Sequence, residues 1–204
     1  MVMTVAWTEH RFSGGILALD TTNTVVHRCD PARRFDRFDD PAEIARFAEA
    51  ASRFRRDEIG RPLTVEDAGA AAATVRPLRE ATDALFRVAA AGIPLGGALV
   101  ANLLRTSAAA LEGSGELALT ADAPFGTPGR PLPFQAALAV SALSLLSSTN
   151  LRRLKVCPNC DWLFLDRSRN SSRLWCDMSV CGNRAKARRH YRRQRNGREV
   201  GYEA

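Results

Sequence analysis

Residues 157–181 read Cys157-Pro-Asn-Cys160, a fifteen-residue interval, then Cys176-Asp-Met-Ser-Val-Cys181. A short cysteine pair, a loop of that size and a second short pair are what one tetrahedral metal ion needs from a chain that leaves and returns. Each pair reaches one edge of the tetrahedron, and the interval closes the site as a hairpin. Four thiolates fill the shell of a zinc ion and leave no position for water, so the spacing predicts one structural zinc rather than a catalytic metal. Redox-active thiols are the competing reading, and so is a ligand set that includes His190. That histidine lies nine residues beyond Cys181, about two and a half helical turns along and too far from the metal. The fifth cysteine, Cys29, belongs to no pair.

Around the cysteines, Leu151 to Val156 leads in as a short strand. Trp162-Leu163-Phe164-Leu165 predicts the returning strand, with Trp162 and Phe164 on one face. Asp166 to Ser172 forms the hairpin tip, where Asp166 reads as a turn cap. Asp177 is a good N-cap for a helix running from Met178 through Arg195. Val180, Ala187 and Tyr191 fall on one stripe of that helix and are expected to pack against Trp162 or Trp175. Arg184, Arg188 and Arg192 fall on another, where like charges at four-residue steps repel and an anionic partner relieves them.

The charge is uneven. Leu151 to Ala204 holds 14 Lys+Arg against 5 Asp+Glu, a net of +9, whereas the whole chain carries +7. Basic character confined to the cysteine segment points to a polyanion, nucleic acid foremost; a solvated helix face is the plainer alternative. Arg184, Lys186, Arg188, Arg189, Arg192, Arg193 and Arg195 are the candidate phosphate contacts. Asn183 and Arg184 are placed to reach base edges, or else Asn183 hydrogen-bonds the knuckle and Gly182 permits close packing.

The N-terminal part reads as mostly helical. Asp40-Pro41 opens a helix to Arg55, with Ile44, Phe47, Ala48, Ala51 and Phe54 at helical spacing. Thr64-x-x-Asp67 resembles a capping box before the Ala-rich stretch Val65 to Ala91, which Pro77 is expected to kink or divide. Gly92-Ile93-Pro94 ends it, and Leu95 to Arg105 forms the next helix. Ala108 to Glu112 and Glu116 to Thr120 flank Gly113-Ser114-Gly115 as a β-hairpin. Phe134 to Ser147 is a buried helix, with Gln135, Ser141 and Ser144 interrupting any run long enough to span a bilayer. The fold class is therefore α+β: a mainly helical domain with a small β-hairpin over residues 1–150, then a zinc knuckle, β-hairpin and basic helix over 151–204. Asp20, Asn23 and His27 have two readings, a ligand pocket on one helix face or a local hydrogen-bond network that holds the fold.

The C-terminal run is recognisable. Cys157-x-x-Cys160-x-Trp162-x-Phe164-x-Asp166-x-Ser168, then Arg173-x-Trp175-Cys176-x-Met178-x-x-Cys181-Gly182-Asn183-Arg184-Ala185-Lys186-Ala187-Arg188-x-His190-Tyr191, resembles the CGNR zinc finger family. In that family the finger follows an N-terminal domain called ABATE. Gly14-Gly15-x-Leu17-Ala18-Leu19-Asp20-x-x-Asn23-Thr24 resembles its opening motif, although Thr21-Thr22 stand where larger apolar residues are expected. The resemblance implies a bacterial transcription regulator, sometimes linked to stress.

These readings converge on a zinc-containing DNA-binding regulator of the bacterial cytoplasm, with an N-terminal domain that senses a small-molecule effector or dimerises. Met1 to Arg11 has no charged start followed by an apolar run and a small-residue cleavage site, so no signal peptide is expected there, and clustered Cys-x-x-Cys in an intracellular chain reads as metal-binding rather than disulfide-bonded. The alternative is a module that docks on RNA or on an acidic protein through the same zinc fold. An enzyme using Asp20 and His27 is a third reading. No nucleotide loop, nucleophile elbow or metalloprotease motif accompanies it, and the expectation is a protein that is not an enzyme.

Overall fold

The computed structural model describes residues 4–114, 117–127 and 129–199, with side chains to residue 193. Its centre is a short helix, α1 (Leu17–Thr22), every residue of which is buried. Thr21 and Thr22 tolerate that burial because their hydroxyls donate to the Leu17 and Leu19 carbonyls at 2.9 and 2.8 Å. Polar groups satisfied within the helix fill places that larger apolar residues would otherwise take. An antiparallel pair follows, β1 (Val25–Val26) with β2 (Phe35–Asp36), in the register Val25↔Asp36. Next come α2 (Ala42–Phe54), α3 (Arg56–Ile59) and β3 (Leu63–Thr64).

The longest element is α4 (Ala68–Ala90). Asp67 caps it, its carboxylate accepting the Gly69 and Ala70 N–H groups at 2.8 and 3.0 Å. The cap is thus Asp67 itself and not Thr64. The helix stops at Gly92, whose left-handed φ of +71° lets Gly92 N–H reach Ala89 O at 2.9 Å and Ile93 N–H reach Val88 O at 3.2 Å. This reciprocal closure satisfies carbonyls that a helix end otherwise leaves open. Pro77 does not divide α4. Val75, Leu78, Leu85 and Phe86 are fully buried on both sides of it, so tertiary packing carries the helix across the missing N–H.

Helix α5 (Gly97–Glu112) runs about two turns beyond the expected end at Arg105. Ala108 to Glu112 are its last turns, which overturns the hairpin expected there. Leu103, Ser107 and Ala110 keep the helical spacing on the buried face, and that packing outweighs the turn signal of the glycines. Leu117 to Thr120 form no strand, and Gly115 and Glu116 lie outside the described residues. The small antiparallel pair of the N-terminal region is β1–β2 instead. Strand β4 (Leu132–Pro133) pairs in parallel with β3. It feeds α6 (Phe134–Ser144), whose residues from Phe134 to Ala142 are mostly buried against α1, α4 and α5. A single turn, α7 (Ser148–Leu151), leads to the antiparallel pair β5 (Leu154–Val156) and β6 (Leu163–Leu165). A wide π-type turn at Met178–Gly182 and the long helix α8 (Asn183–Glu199) complete the described chain.

Strand β6 belongs to two cores. Leu163 and Leu165 join the main apolar core of α1, α2, α4 and α6. Trp162 and Phe164 join a second cluster made with Cys157, Cys176 and Cys181. Successive strand side chains point to opposite faces, so one four-residue run seals both.

Candidate metal centre and basic helix

The β5–β6 ladder ends where the first cysteine pair begins. Cys157 N–H donates to Trp162 O at 2.8 Å and Asp161 N–H donates to Cys157 O at 2.9 Å. Asp161 adopts a left-handed φ of 66°, which turns the chain tightly enough to aim both thiols one way. The second pair is held by Asp177. Its carboxylate accepts Ser179 N–H at 2.7 Å and Val180 N–H at 3.2 Å, and its carbonyl accepts Cys181 N–H at 2.9 Å. Burial raises the Asp177 carboxyl, but the Ser179 hydroxyl, His10 and the Val180 and Ser179 N–H groups outweigh it and hold it at about 2.

The Sγ atoms of Cys157, Cys160, Cys176 and Cys181 all lie within 4.8 Å of one another. Cys160 and Cys176 are 3.4 Å apart, and Cys176 and Cys181 3.6 Å. A zinc ion at about 2.3 Å from each sulfur makes a tetrahedron with edges of about 3.8 Å, so the four thiols fit one structural zinc. Three of the four are buried and Cys160 is half-buried. Hydrogen bonds from Cys160 and Cys176 pull the Cys157 thiol down, while Cys157 and Cys176 push the Cys160 thiol up. His190 is exposed and stands outside the cluster.

Two cations brace the loop between the pairs. Lys155 Nζ donates to Asp166 Oδ2 at 2.7 Å, Ser171 O at 2.5 Å and Arg173 O at 3.0 Å. Asp166 is fully buried and also accepts from Ser168 and Arg173 N–H groups. Burial raises its carboxyl, but Lys155 and Ser168 outweigh that and hold it well below the usual carboxylate range. Arg173 lies over the Phe164 ring at 5.1 Å and donates to the carbonyls of Trp175 and Cys176. Sequence reading found Asp166 as a cap. It missed Lys155, because a lysine that collects carbonyls looks like any other basic residue.

Helix α8 leaves the body after Gly182. Asn183, Arg184, Lys186, Arg188, Arg189, Arg192 and Arg193 are all exposed, and none of these cations forms an ion pair among the described residues. Asn183 Nδ2 donates to Ser179 O at 2.8 Å, so its amide serves the turn. Arg188 donates to Asn159 on the first knuckle. The Arg195 side chain lies outside the described residues. The expected packing of Val180, Ala187 and Tyr191 on the tryptophans is not formed. Ala187 is exposed and Tyr191 is 67% exposed, and neither joins the cluster that holds Trp162 and Trp175.

Family models match two stretches of the chain. Residues 153–194 match the CGNR zinc finger, and residues 15–149, more than half of the chain, match ABATE, described as "Putative stress-induced transcription regulator". The chain belongs to the ABATE family. No curated protein matches it.

In this ABATE chain the opening motif docks the finger. Asn23 Nδ2 donates to Leu163 O at 2.9 Å, and Leu163 N–H donates to Asn23 Oδ1 at 3.0 Å. Leu165 N–H donates to Gly14 O at 2.8 Å. His10 Nδ1 meets Asp177 Oδ2 at 2.7 Å, and its ring stacks on Trp162 at 5.4 Å. Arg87 donates to Asp161 O at 3.1 Å.

Asp20, Asn23 and His27 do not share a helix face. Helix α1 stops at Thr22, and His27 lies beyond it with a left-handed φ of 50°, its Nε2 3.1 Å from Arg33. Asp20 is buried against Arg55 at 2.5 Å and accepts Gly14 N–H at 2.8 Å. Burial pushes its carboxyl up, and Arg55 opposes that. Asp20 and Asn23 are thus parts of a hydrogen-bond network that holds the ABATE domain together and onto the finger.

Proposed function

We propose that this ABATE–CGNR protein is a DNA-binding transcription regulator of the bacterial cytoplasm. The ABATE domain senses a small-molecule signal, and the zinc-held finger grips DNA through α8. One observation carries the reading: six cations from Arg184 to Arg193 stand exposed, without acidic partners among the described residues, on a helix anchored at the zinc knuckle. Like charges at this density repel each other along the helix, and phosphate neutralises them with release of counterions. The thiol cluster serves the same end by holding the base of the helix rigid. No helix among the described residues is long and apolar enough to cross a membrane.

Selection of bound sequences from a random duplex pool, with zinc analysis of the same sample, tests the reading. Recovery of a preferred duplex, with binding that weakens steeply in salt and is lost in Cys176→Ser, supports it. Preference for structured RNA or for an acidic protein over duplex DNA in direct competition overturns it.

A further inference from the structure

Immediately after β2 the chain buries a cation. Arg37 is 7% exposed, yet among the described residues it forms no ion pair. Its one hydrogen bond from the guanidinium goes to the Asn23 carbonyl at 3.1 Å. Burial, then the neighbouring Arg11 charge, drag the Arg37 guanidinium down from 12.5 to about 9. The Asp36 charge opposes that fall, and Arg37 remains a cation at neutral pH. Arg11, half-buried in the short helical turn Glu9–Phe12, is lowered by burial as well and also forms no ion pair among the described residues. A buried charge without a partner is expensive, and such groups are found where a ligand supplies the missing charge.

Both arginines line one cavity of about 380 Å³, a size that suits a small organic ligand. Its apolar wall is Val5, Ala6 and Phe35, the last 50% exposed with its ring 5.5 Å from the Arg37 guanidinium carbon. Four carboxylates also line it, and they limit what can bind. Asp36 is already paired with Arg79 at 2.5 Å and Glu43 with Arg46 at 2.5 Å. Asp40 accepts Ala42 N–H at 2.9 Å, and Asp39 sits exposed at the rim. A dianion such as phosphate would be repelled by Asp39 and Asp40. A single negative charge meets the two arginines with less opposition.

We infer that this cavity is the effector site of the ABATE domain, and that it takes a small organic monocarboxylate with an apolar body. The carboxylate bridges Arg37 and Arg11, which match its planar geometry. The body lies on Phe35. Arg37 also lies over the Trp162 ring at 5.6 Å and holds the carbonyl of Asn23, the residue that clamps Leu163. The ligand's charge therefore arrives beside two residues that fasten the finger. The inference rests on the sensory half of the proposed function and is independent of the DNA-binding half.

Titration calorimetry of the zinc-loaded full chain, without DNA, is the test. The probes are benzoate, its uncharged analogue benzamide, and inorganic phosphate. Saturable 1:1 benzoate binding is expected within the millimolar range, with no saturation by benzamide or phosphate. Arg11→Gln, at the half-exposed position, should weaken benzoate at least fivefold and leave the melting temperature of the free protein unchanged. Arg37→Gln should abolish binding, with zinc content and circular dichroism establishing that it folds. Absence of saturable benzoate binding overturns the inference, as does equal binding of benzamide or phosphate, or unchanged affinity in a folded Arg11→Gln. DNA affinity measured separately on the same sample keeps the two readings apart, since benzoate binding without DNA binding sinks only the regulator.

Discussion

The side chain of Asn23 grips the backbone of Leu163 from both directions, donating to its carbonyl at 2.9 Å and accepting its N–H at 3.0 Å across 140 residues of chain. Leu163 is fully buried, so no water can replace the amide. Asn23→Ala leaves two backbone groups unsatisfied, and about 2–4 kcal/mol of stability should be lost. Because β6 serves both cores, urea unfolding followed by circular dichroism should show one transition moved to lower denaturant. Separate transitions for the two parts would contradict the shared-strand arrangement.

Zinc removal should be felt far from the zinc. Leu163 and Leu165 are held in the main core by the same strand whose neighbours cover the thiols. Chelation, or Cys176→Ser, is expected to reduce zinc from one ion per chain and lower the melting temperature of the whole molecule. Metal analysis alongside calorimetry checks this; a melting temperature of the helical core that is indifferent to zinc counts against it.

Gly15 lies where the two parts touch. Its φ is +88°, and a Cβ there would sit 3.1 Å from the Leu165 carbonyl oxygen. Gly15→Ala combines backbone strain with a close contact to a backbone atom that cannot swing away. A loss of about 1–3 kcal/mol is expected by thermal or urea unfolding.

Glu58 gives the fold a pH dependence. Its carboxylate accepts Leu17 N–H at 2.9 Å and the Ser141 hydroxyl at 2.8 Å. Burial nevertheless dominates over these bonds and Arg55, and pushes its pKa from 4.5 up to about 7. Between those values the folded chain keeps a proton that the unfolded chain has released, so stability falls as pH rises through the window. The full effect is on the order of 3 kcal/mol. Glu58→Gln cannot titrate, and relative to wild type it should gain stability from about pH 5 to about pH 8. Zinc release in acid acts on both proteins and cancels in the difference. A difference that stays flat with pH would show that Glu58 titrates normally.

For the basic helix, Arg189→Ala and Arg192→Ala should each reduce the slope of log affinity for duplex DNA against log salt by about 1. The loss should be similar on every sequence, and folding should be untouched because both residues are exposed. Filter binding over a salt series measures it. An unchanged slope in both variants removes α8 from the interface.

Much of the candidate metal site was legible in the chain. Ligand spacing, the Asp177 cap and the Trp162/Phe164 alternation are local patterns, and local geometry produces them. The helical core was legible by the same token, through the cap at Asp40 and the glycine at 92, whereas the cap expected at Thr64 falls at Asp67. What misled were signals that packing overrode. Gly113 follows a helix that Ser107 and Ala110 extend, where the glycines had signalled a turn between strands. Tyr191 and Ala187 had the spacing of a buried stripe, but no surface was there to cover them.

Taken alone, the order of amino acids was enough for a metal-closed module, its zinc, its concentration of positive charge and a helical partner domain. Each of these depends on residues a few positions apart, or on simple composition. The folded arrangement decided the rest: that Asn23 and Asp20 brace the interior, that β6 completes two cores, and that Arg37 and Arg11 line one cavity without an ion pair among the described residues. Such relations join residues whose sequence separation is set by the path of the chain. A hydrogen bond across 140 residues, or a charge left without a partner by burial, exists only once the chain has closed on itself.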